Sequence, residues 1–222
     1  MTSGENRSAE WKAWSRQGLW WSEAARGRPL LWPAGESWFV NDPLGPMPHT
    51  HPGASEYYFL ASGVMNVTVG RTEFTMATED LCLIPPDTYH HPHNGSDRDV
   101  ALLAFVAPNL RDQRWKYQDF DERDFEGTPV LSNVRTAGPL PGDGNLSATL
   151  LHLAGGSAAE SLEDSAGECL VYVLDGSVEA SVGPLSGTLG GHGLLACAGT
   201  VRRSFRAIED ASVLVITPAS TR

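Results

Sequence analysis

Glycine and proline divide this sequence into short segments, and this division constrains the fold more than any other feature. The chain contains 23 Gly and 15 Pro, and the segments between them are runs of β-branched, aromatic and aliphatic residues rather than long amphipathic stripes. These runs predict strands at residues 37–40, 56–61, 64–69, 81–84, 100–106, 148–153, 169–174, 177–182 and 212–216. So many short strands at close spacing predict an all-β protein, built as a barrel or a sandwich.

The length of the chain limits the number of its domains, and its charge limits the classes of partner that it can bind. Its 222 residues are enough for two domains. Its 27 acidic and 16 basic residues give a formal net charge of −11, which repels nucleic acid. No apolar run approaches the roughly 18 residues of a membrane span, and the first residues lack the apolar stretch of a secretory signal. We therefore expect a cytoplasmic protein that binds neither nucleic acid nor a membrane, with Cys82, Cys169 and Cys197 reduced and buried.

An internal repeat relates the two halves of the chain. Residues 56–70 form two strand-like runs that each end at a glycine, and residues 168–183 repeat this pattern. Further along, residues 85–90 align with residues 197–202, so the offset stays at 112 to 113 throughout. A duplicated β domain is the economical explanation.

The segments outside the repeat differ from it in composition. Six of the seven tryptophans precede residue 40, which indicates a packed arm rather than a flexible tail, and the spacing of Trp11 and Trp14 suits one short amphipathic helix. A highly charged stretch then separates the two repeats. The boundaries that we expect are 1–40 for the arm, 41–108 for the first β domain, 109–128 for the linker and 129–222 for the second β domain.

Four side chains of the first half have the spacing of a metal site. His49 and His51 are two residues apart, so on a strand both imidazoles project from the same face. Glu56 on the next strand and His90 on a neighbouring one would complete a cluster of three neutral nitrogens and one carboxylate. Such a cluster suits a divalent transition metal.

The same residues give the sequence its resemblance to the cupin superfamily. The run Gly45-x3-His49-x-His51-x4-Glu56-x6-Gly63 is similar to the first cupin motif, and Asp80-x4-Pro85-x-Asp87-x2-His90-x3-Asn94 resembles the second. The resemblance implies a bicupin, with two tandem double-stranded β-barrels of the jelly-roll type and a short N-terminal arm. It also implies that His49, His51, Glu56 and His90 are the metal ligands. Asp80 and Asp87 replace family glycines that serve turns, and aspartate tolerates turn conformations.

The second motif offers two further histidines beside His90. Its spacing selects His90, because His91 has the opposite strand parity and His93 lies beyond a proline. We expect His91 and His93 at the barrel mouth or the surface.

The second half lacks the ligand set. The offset places Leu162 or Ser161, Asp164 or Glu163, Cys169 or Glu168, and Arg202 at the four ligand positions. We therefore expect a degenerate barrel without a metal site, which serves as a scaffold; an anion site at Arg202 and Arg203 is a weaker alternative. His152 and His192 lie outside the ligand positions and are expected to be structural or exposed.

The predicted donor set narrows the chemistry without fixing the reaction. Three histidines and one carboxylate leave coordination positions open, as catalytic sites do. Iron(II) in such a site, which we favour, suits a dioxygenase that acts on a small organic molecule, whereas Zn, Mn or Ni would suit an isomerase, a lyase or a hydrolytic enzyme. Co and Cu are further candidate metals. A non-catalytic cupin that binds a small ligand is a third possibility. Strand parity from Glu56 directs Tyr58 to the metal side, so Tyr58 is the candidate proton donor or substrate hydrogen bond. We expect a monomer or a homodimer.

Overall fold

The structure is a computed structural model that describes residues 9–13, 27–32, 48–94, 100–107, 120–159, 169–182, 185–197 and 203–218. In this part of the chain the regular structure is sixteen β-strands and one single-turn 3-10 helix, Glu122–Phe125. The strands are β1 Ala9–Ala13, β2 Gly27–Trp32, β3 Ser55–Ser62, β4 Val64–Val69, β5 Thr72–Ala77, β6 Asp80–Ile84, β7 His90–His93, β8 Val100–Ala107, β9 Val130–Asn133, β10 Leu146–Leu153, β11 Cys169–Asp175, β12 Ser177–Val182, β13 Leu185–Gly190, β14 Gly193–Cys197, β15 Arg203–Ala207 and β16 Ala211–Pro218. The predicted all-β class is confirmed.

The chain forms two compact units, whose main parts are Arg28–Leu146 and Ser147–Arg222. The sequence predicted that the second domain begins at residue 129. In the structure β9 pairs instead with β6 of the first unit, and Val130 lies opposite Leu83 in this pairing. The backbone hydrogen bonds of β9 therefore belong to the first unit, and the division falls after Leu146.

The first unit consists of two antiparallel sheets with an apolar core between them. The larger sheet has the strand order β2-β8-β3-β6-β9 and the smaller one has the order β5-β4-β7. The core combines Leu60 and Leu102 of the larger sheet with Met65, Val67 and Met76 of the smaller one. These side chains alternate with more exposed neighbours along β4 and β5, as a sheet with one buried face requires.

The second unit repeats this arrangement. Its larger sheet has the order β1-β14-β11-β16-β10 and its smaller sheet the order β13-β12-β15. Strands β14, β11 and β16 thus occupy the places of β6, β3 and β8. The core again combines both sheets, with Val171 and Val213 from the larger one and Val178, Leu189 and Phe205 from the smaller one. The duplication predicted from the sequence is confirmed as two jelly-roll units.

The helix predicted around Trp11 is wrong, because this segment is strand β1. Trp11 lies opposite Leu195 of β14, and the whole of Ala9–Ala13 pairs in antiparallel register with this strand. Pairing with a strand distant in sequence overrides the weak helical spacing. Trp14 lies outside the described residues.

Eight of the nine predicted strands are present, and the ninth, at residues 37–40, lies outside the described residues. Two of the strands that the sequence did not reveal, β5 and β7, have few apolar residues on a buried face or contain a proline. In β5 only Met76 is fully buried, and β7 contains Pro92 between histidines. Both strands are defined by pairing with β4 rather than by their own composition. Within the described residues, no helix has the length and apolar character needed to cross a membrane.

Candidate metal centre

Three elements of the first unit carry the four predicted ligands. Glu56 is the second residue of β3, and His90 is the first residue of β7. His49 forms an isolated antiparallel bridge with His90, in which each backbone N–H donates to the carbonyl of the other residue, at 3.1 and 2.9 Å. His51 follows two residues later, before a turn that leads into β3. The bridge therefore fixes His49 opposite His90, and the turn returns the chain to Glu56.

The four side chains converge in a buried space. Oε2 of Glu56 lies 2.9 Å from Nε2 of His51, 2.8 Å from Nε2 of His90 and 3.9 Å from Nε2 of His49. The candidate ligand atoms all lie within 4.8 Å of one another. No member of the cluster is more than 4% exposed. The structure thus brings together the four residues that the motif spacing selects.

The orientation of the His90 ring makes this cluster suited to a cation. Nδ1 of His90 lies 2.8 Å from the backbone oxygen of Thr88 and donates its proton to that carbonyl. Nε2 of His90 then faces Nε2 of His49 and the Glu56 carboxylate, each 2.8 Å away. A buried carboxylate among imidazole nitrogens calls for a compensating positive charge. A divalent metal supplies this charge to all the donors at once, so the residues fit such an ion.

The electrostatics of the cluster favour its metal-binding form. Burial lowers the pKa of His51 below its ordinary value, and the attraction of Glu56 offsets this only in part. Burial alone would raise the pKa of the Glu56 carboxyl. The attraction and hydrogen bonds from His51 and His90 outweigh burial, and the pKa of Glu56 lies well below its usual range. A neutral imidazole and an ionised carboxylate are the forms that bind metal ions.

The turn at Asp87 fastens two ligand-bearing loops together. Its backbone N–H donates to the carbonyl of His51 at 3.0 Å, and its carboxylate accepts from the N–H of Gly53 at 3.1 Å. Asp87 has φ 58, in the left-handed region. The replacement of a turn glycine by aspartate therefore keeps the turn and adds a side-chain hydrogen bond.

The other replaced glycine, at Asp80, has a different role. The left-handed residue of this turn is Glu79, with φ 69, whereas Asp80 begins β6. The Asp80 carboxylate accepts from the N–H of Ala77 at 2.8 Å and so closes the turn that connects β5 to β6.

Tyr58, the predicted catalytic residue, lies beside the cluster. Its ring centroid is 5.8 Å from that of His90, in an edge-on arrangement. Tyr58 is 2% exposed and belongs to the apolar interior together with Leu60 and Met65. Cys82 lies opposite Tyr58 on β6. Burial, together with the charge of Glu56, raises the pKa of the Cys82 thiol, and Cys82 is free and buried as expected.

The other histidines lie outside the cluster. His91 is partly buried and His93 is exposed, with their ring centroids 6.4 Å apart. Burial, with His93 and His90 nearby, lowers the pKa of His91. In the second unit, His152 is exposed with Nδ1 3.2 Å from Oγ of Ser212, and His192 is exposed with Nδ1 2.7 Å from the hydroxyl of Tyr172.

The second unit differs from the first at the ligand positions. Arg203 pairs with Val182 as His90 pairs with Val69. Arg203, rather than the predicted Arg202, therefore stands at the position of His90, and this prediction was wrong by one residue. The same offset of 113 places Cys169 at the position of Glu56. Arg203 and Cys169 are both buried.

Sequence reasoning missed the backbone that supports His90. The sequence predicted a linker at residues 109–128. In the structure Asp124, within this range, is buried, and its carbonyl accepts a hydrogen bond from the N–H of Tyr89 at 2.6 Å. The capping box of Asp121 and Asp124, with its spacing of three residues, was the signal that could have revealed an ordered turn here.

Comparison with known proteins agrees with this architecture. Residues 37–106 match the family model described as Cupin domain. The salicylate 1,2-dioxygenase of Pseudoaminobacter salicylatoxidans, in a single-residue variant, superposes with a TM-score of 0.62 at 13% identity, over 87% of this chain and 71% of that one. A variant structure in complex with gentisate gives 0.63 at 12% identity, over 87% and 68%. Protein YlbA from E. coli gives 0.60 at 12% identity, over 87% and 77%. No curated protein matches the sequence.

The fold and the cluster define a protein of two jelly-roll units, one of which carries a buried site suited to a divalent metal. The match to the Cupin domain model covers residues 37–106, in the first unit, and the likeness to the solved structures extends the shared fold over 87% of the chain.

Proposed function

We propose that His49, His51, Glu56 and His90 hold one divalent transition metal, iron(II), and that the protein is a dioxygenase acting on a small organic molecule. The observation that carries this proposal is the convergence of three imidazole nitrogens and one carboxylate in a buried space. Iron(II), when bound, supplies the electrons that dioxygen activation requires.

The charge and the number of donors favour an oxygen-bearing substrate. One carboxylate and three neutral imidazoles neutralise only half of the charge of a dication. Four protein donors also leave coordination positions open. A substrate with a carboxylate or phenolate oxygen would be attracted by the remaining positive charge, which burial leaves poorly screened.

Tyr58 is proposed to hold or move a proton at its phenolic oxygen. It shares the inner face of β3 with Glu56 and packs edge-on against the His90 ring, at 5.8 Å between centroids. Leu60 and Met65, both fully buried, surround it with apolar surface. Exclusion of water strengthens any hydrogen bond that the phenol donates to a bound substrate.

The fold relatives guide the choice of trial substrates. Among them is a salicylate 1,2-dioxygenase whose structure is also known with gentisate. We infer that small hydroxylated aromatic acids are the first compounds to test, because they carry the anionic oxygens that the site favours.

Metal exchange with measurement of oxygen uptake tests the proposal. The stripped protein is reloaded with iron(II) or with zinc(II) and offered a panel of hydroxylated aromatic acids that starts with salicylate and gentisate. We expect oxygen uptake matched to substrate loss with iron, none with zinc, and none with iron-treated Glu56→Gln. Turnover without oxygen on zinc, manganese or nickel would instead establish an isomerase or lyase. Substrate binding without turnover on any metal would favour a ligand-binding cupin.

A further inference from the structure

We propose that Asp124 and Gly127 are positioning residues for the metal centre and act through the peptide unit between Thr88 and Tyr89. This inference rests on the proposed ligation of the metal by His90. Both residues lie in the segment 120–127, which contains the 3-10 helix Glu122–Phe125 and packs against the loop before β7.

A single peptide unit links this segment to the candidate ligand. Its carbonyl, from Thr88, accepts the proton of Nδ1 of His90 at 2.8 Å. Its N–H, from Tyr89, donates to the carbonyl of Asp124 at 2.6 Å. Because a peptide unit is planar, fixing the direction of the N–H also fixes the direction of the C=O. The carbonyl of Asp124 therefore sets the acceptor that orients the His90 ring and determines its tautomer.

The position of Asp124 is itself well determined. Its carboxylate accepts from the N–H of Asp121 at 2.9 Å, and the Asp121 carboxylate accepts from the N–H of Arg123 at 2.9 Å. Asp124 is 6% exposed. The ring of Tyr89 contacts Phe120 and Phe125, each with a centroid separation of 4.8 Å. The segment therefore holds the Thr88–Tyr89 peptide unit through both hydrogen bonding and aromatic packing.

Gly127 allows the close approach that this arrangement needs. A Cβ atom at Gly127 would lie 1.9 Å from Oγ1, 2.6 Å from Cγ2 and 2.8 Å from Cβ of Thr88. Any side chain at this position must displace Thr88, whose backbone oxygen orients His90. The position of Thr88 relative to His90 therefore requires a glycine at residue 127.

Cobalt(II) binding to the intact protein tests the proposal, since its d–d absorption bands depend on ligand geometry. For Gly127→Ala we expect cobalt affinity to fall about 10-fold or more, the size of effect known for groups that orient metal ligands, together with altered bands. The matched control is Gly138→Ala, because a Cβ atom there meets nothing within 4 Å. It should bind cobalt as the wild type does. Thermal unfolding of each apoprotein reports stability separately.

A second substitution distinguishes positioning from general destabilisation. Thr88→Ala removes the two atoms closest to the new Cβ, so in the Gly127→Ala background it should restore most of the affinity and the wild-type bands. If Gly127→Ala does not fold, Asp124→Ala, which removes the side-chain acceptor for Asp121, should weaken and alter cobalt binding in the same direction.

The outcomes separate this inference from the proposed function. Wild-type affinity and bands in Gly127→Ala, or no recovery in the double variant, overturn the positioning role while the metal site stands. If Gly127→Ala does not fold, unchanged cobalt binding in Asp124→Ala overturns it in the same way. Failure of the wild type to bind cobalt, or equal binding by wild type and His90→Ala, contradicts the metal site itself. Weaker binding with altered bands, reversed by Thr88→Ala, establishes the positioning role.

Discussion

Nε2 of His49 and Nε2 of His90 lie 2.8 Å apart across an isolated antiparallel bridge. On the other side of its ring, His90 donates from Nδ1 to the carbonyl of Thr88. The His90 nitrogen that faces His49 is therefore the one that is directed into the cluster. This pairing joins the segment of His49 and His51 to β7, so the cluster depends on both segments.

The metal-free protein is expected to lose stability as the pH falls. Burial lowers the pKa of His51 in the folded state below 6.5, its ordinary value, and the pKa of Glu56 lies below its ordinary 4.5. For both groups the unfolded chain takes up protons at a higher pH than the folded protein. The free energy of unfolding therefore decreases as the pH falls first through 6.5 and then through 4.5.

Urea unfolding of the apoprotein from about pH 8 to about pH 4 measures this dependence. In Glu56→Gln the decrease in the lower part of this range should become smaller, because one carboxyl no longer titrates. A wild-type apoprotein that becomes more stable between about pH 8 and pH 6 would contradict the assignment of a buried neutral His51.

Tyr58→Phe is expected to lower kcat about 100-fold or more, the lower range for loss of a positioned proton donor, and to leave the metal content unchanged. The change removes only the phenolic oxygen and keeps the ring beside His90. Tyr57→Phe is the matched control, because Tyr57 is equally buried but donates its hydroxyl proton to the carbonyl of Pro141. It should cost about 1 kcal/mol of stability with kcat retained. Steady-state kinetics that show an unchanged kcat in Tyr58→Phe would remove this residue from the reaction.

Asp87→Ala is expected to lower the free energy of unfolding by about 1–3 kcal/mol. Alanine tolerates the left-handed φ of 58 less well than aspartate, and it loses the hydrogen bond from Gly53. Asp87→Asn keeps both a favourable turn residue and an acceptor, so it should remain close to the wild type. Urea unfolding of the two variants compares them directly. Equal losses in both would show that the turn geometry is not the cause.

The residues of the candidate site were predictable because they are spaced by local geometry. One residue separates His49 from His51 and four separate His51 from Glu56, and one strand end and one turn fix these short spacings. The strands β3, β8 and β11 were predictable for a different reason. Each is a continuous run of mainly apolar residues, which is the pattern expected of a buried strand.

Features that depend on contacts between distant segments were not predictable. The pairing of Trp11 with Leu195 decides that β1 is a strand, yet nothing within residues 9–13 indicates that partner. Asp124 supports His90 through backbone hydrogen bonds. Every residue has a backbone carbonyl, so the residue type at position 124 does not predict this contact. The sequence repeat allowed offsets of both 112 and 113, so it did not decide whether Arg202 or Arg203 corresponds to His90. Only the strand register in the structure identifies Arg203.

Elemental analysis of the purified protein tests the central claim most directly. The wild type should contain about one transition metal ion per chain, and His51→Ala should contain almost none, because loss of one ligand of a buried set leaves the others unable to hold the ion. His91→Ala, a change on β7 outside the cluster, should retain the wild-type content. Near-stoichiometric metal in His51→Ala, or two metals per chain in the wild type, would contradict the account.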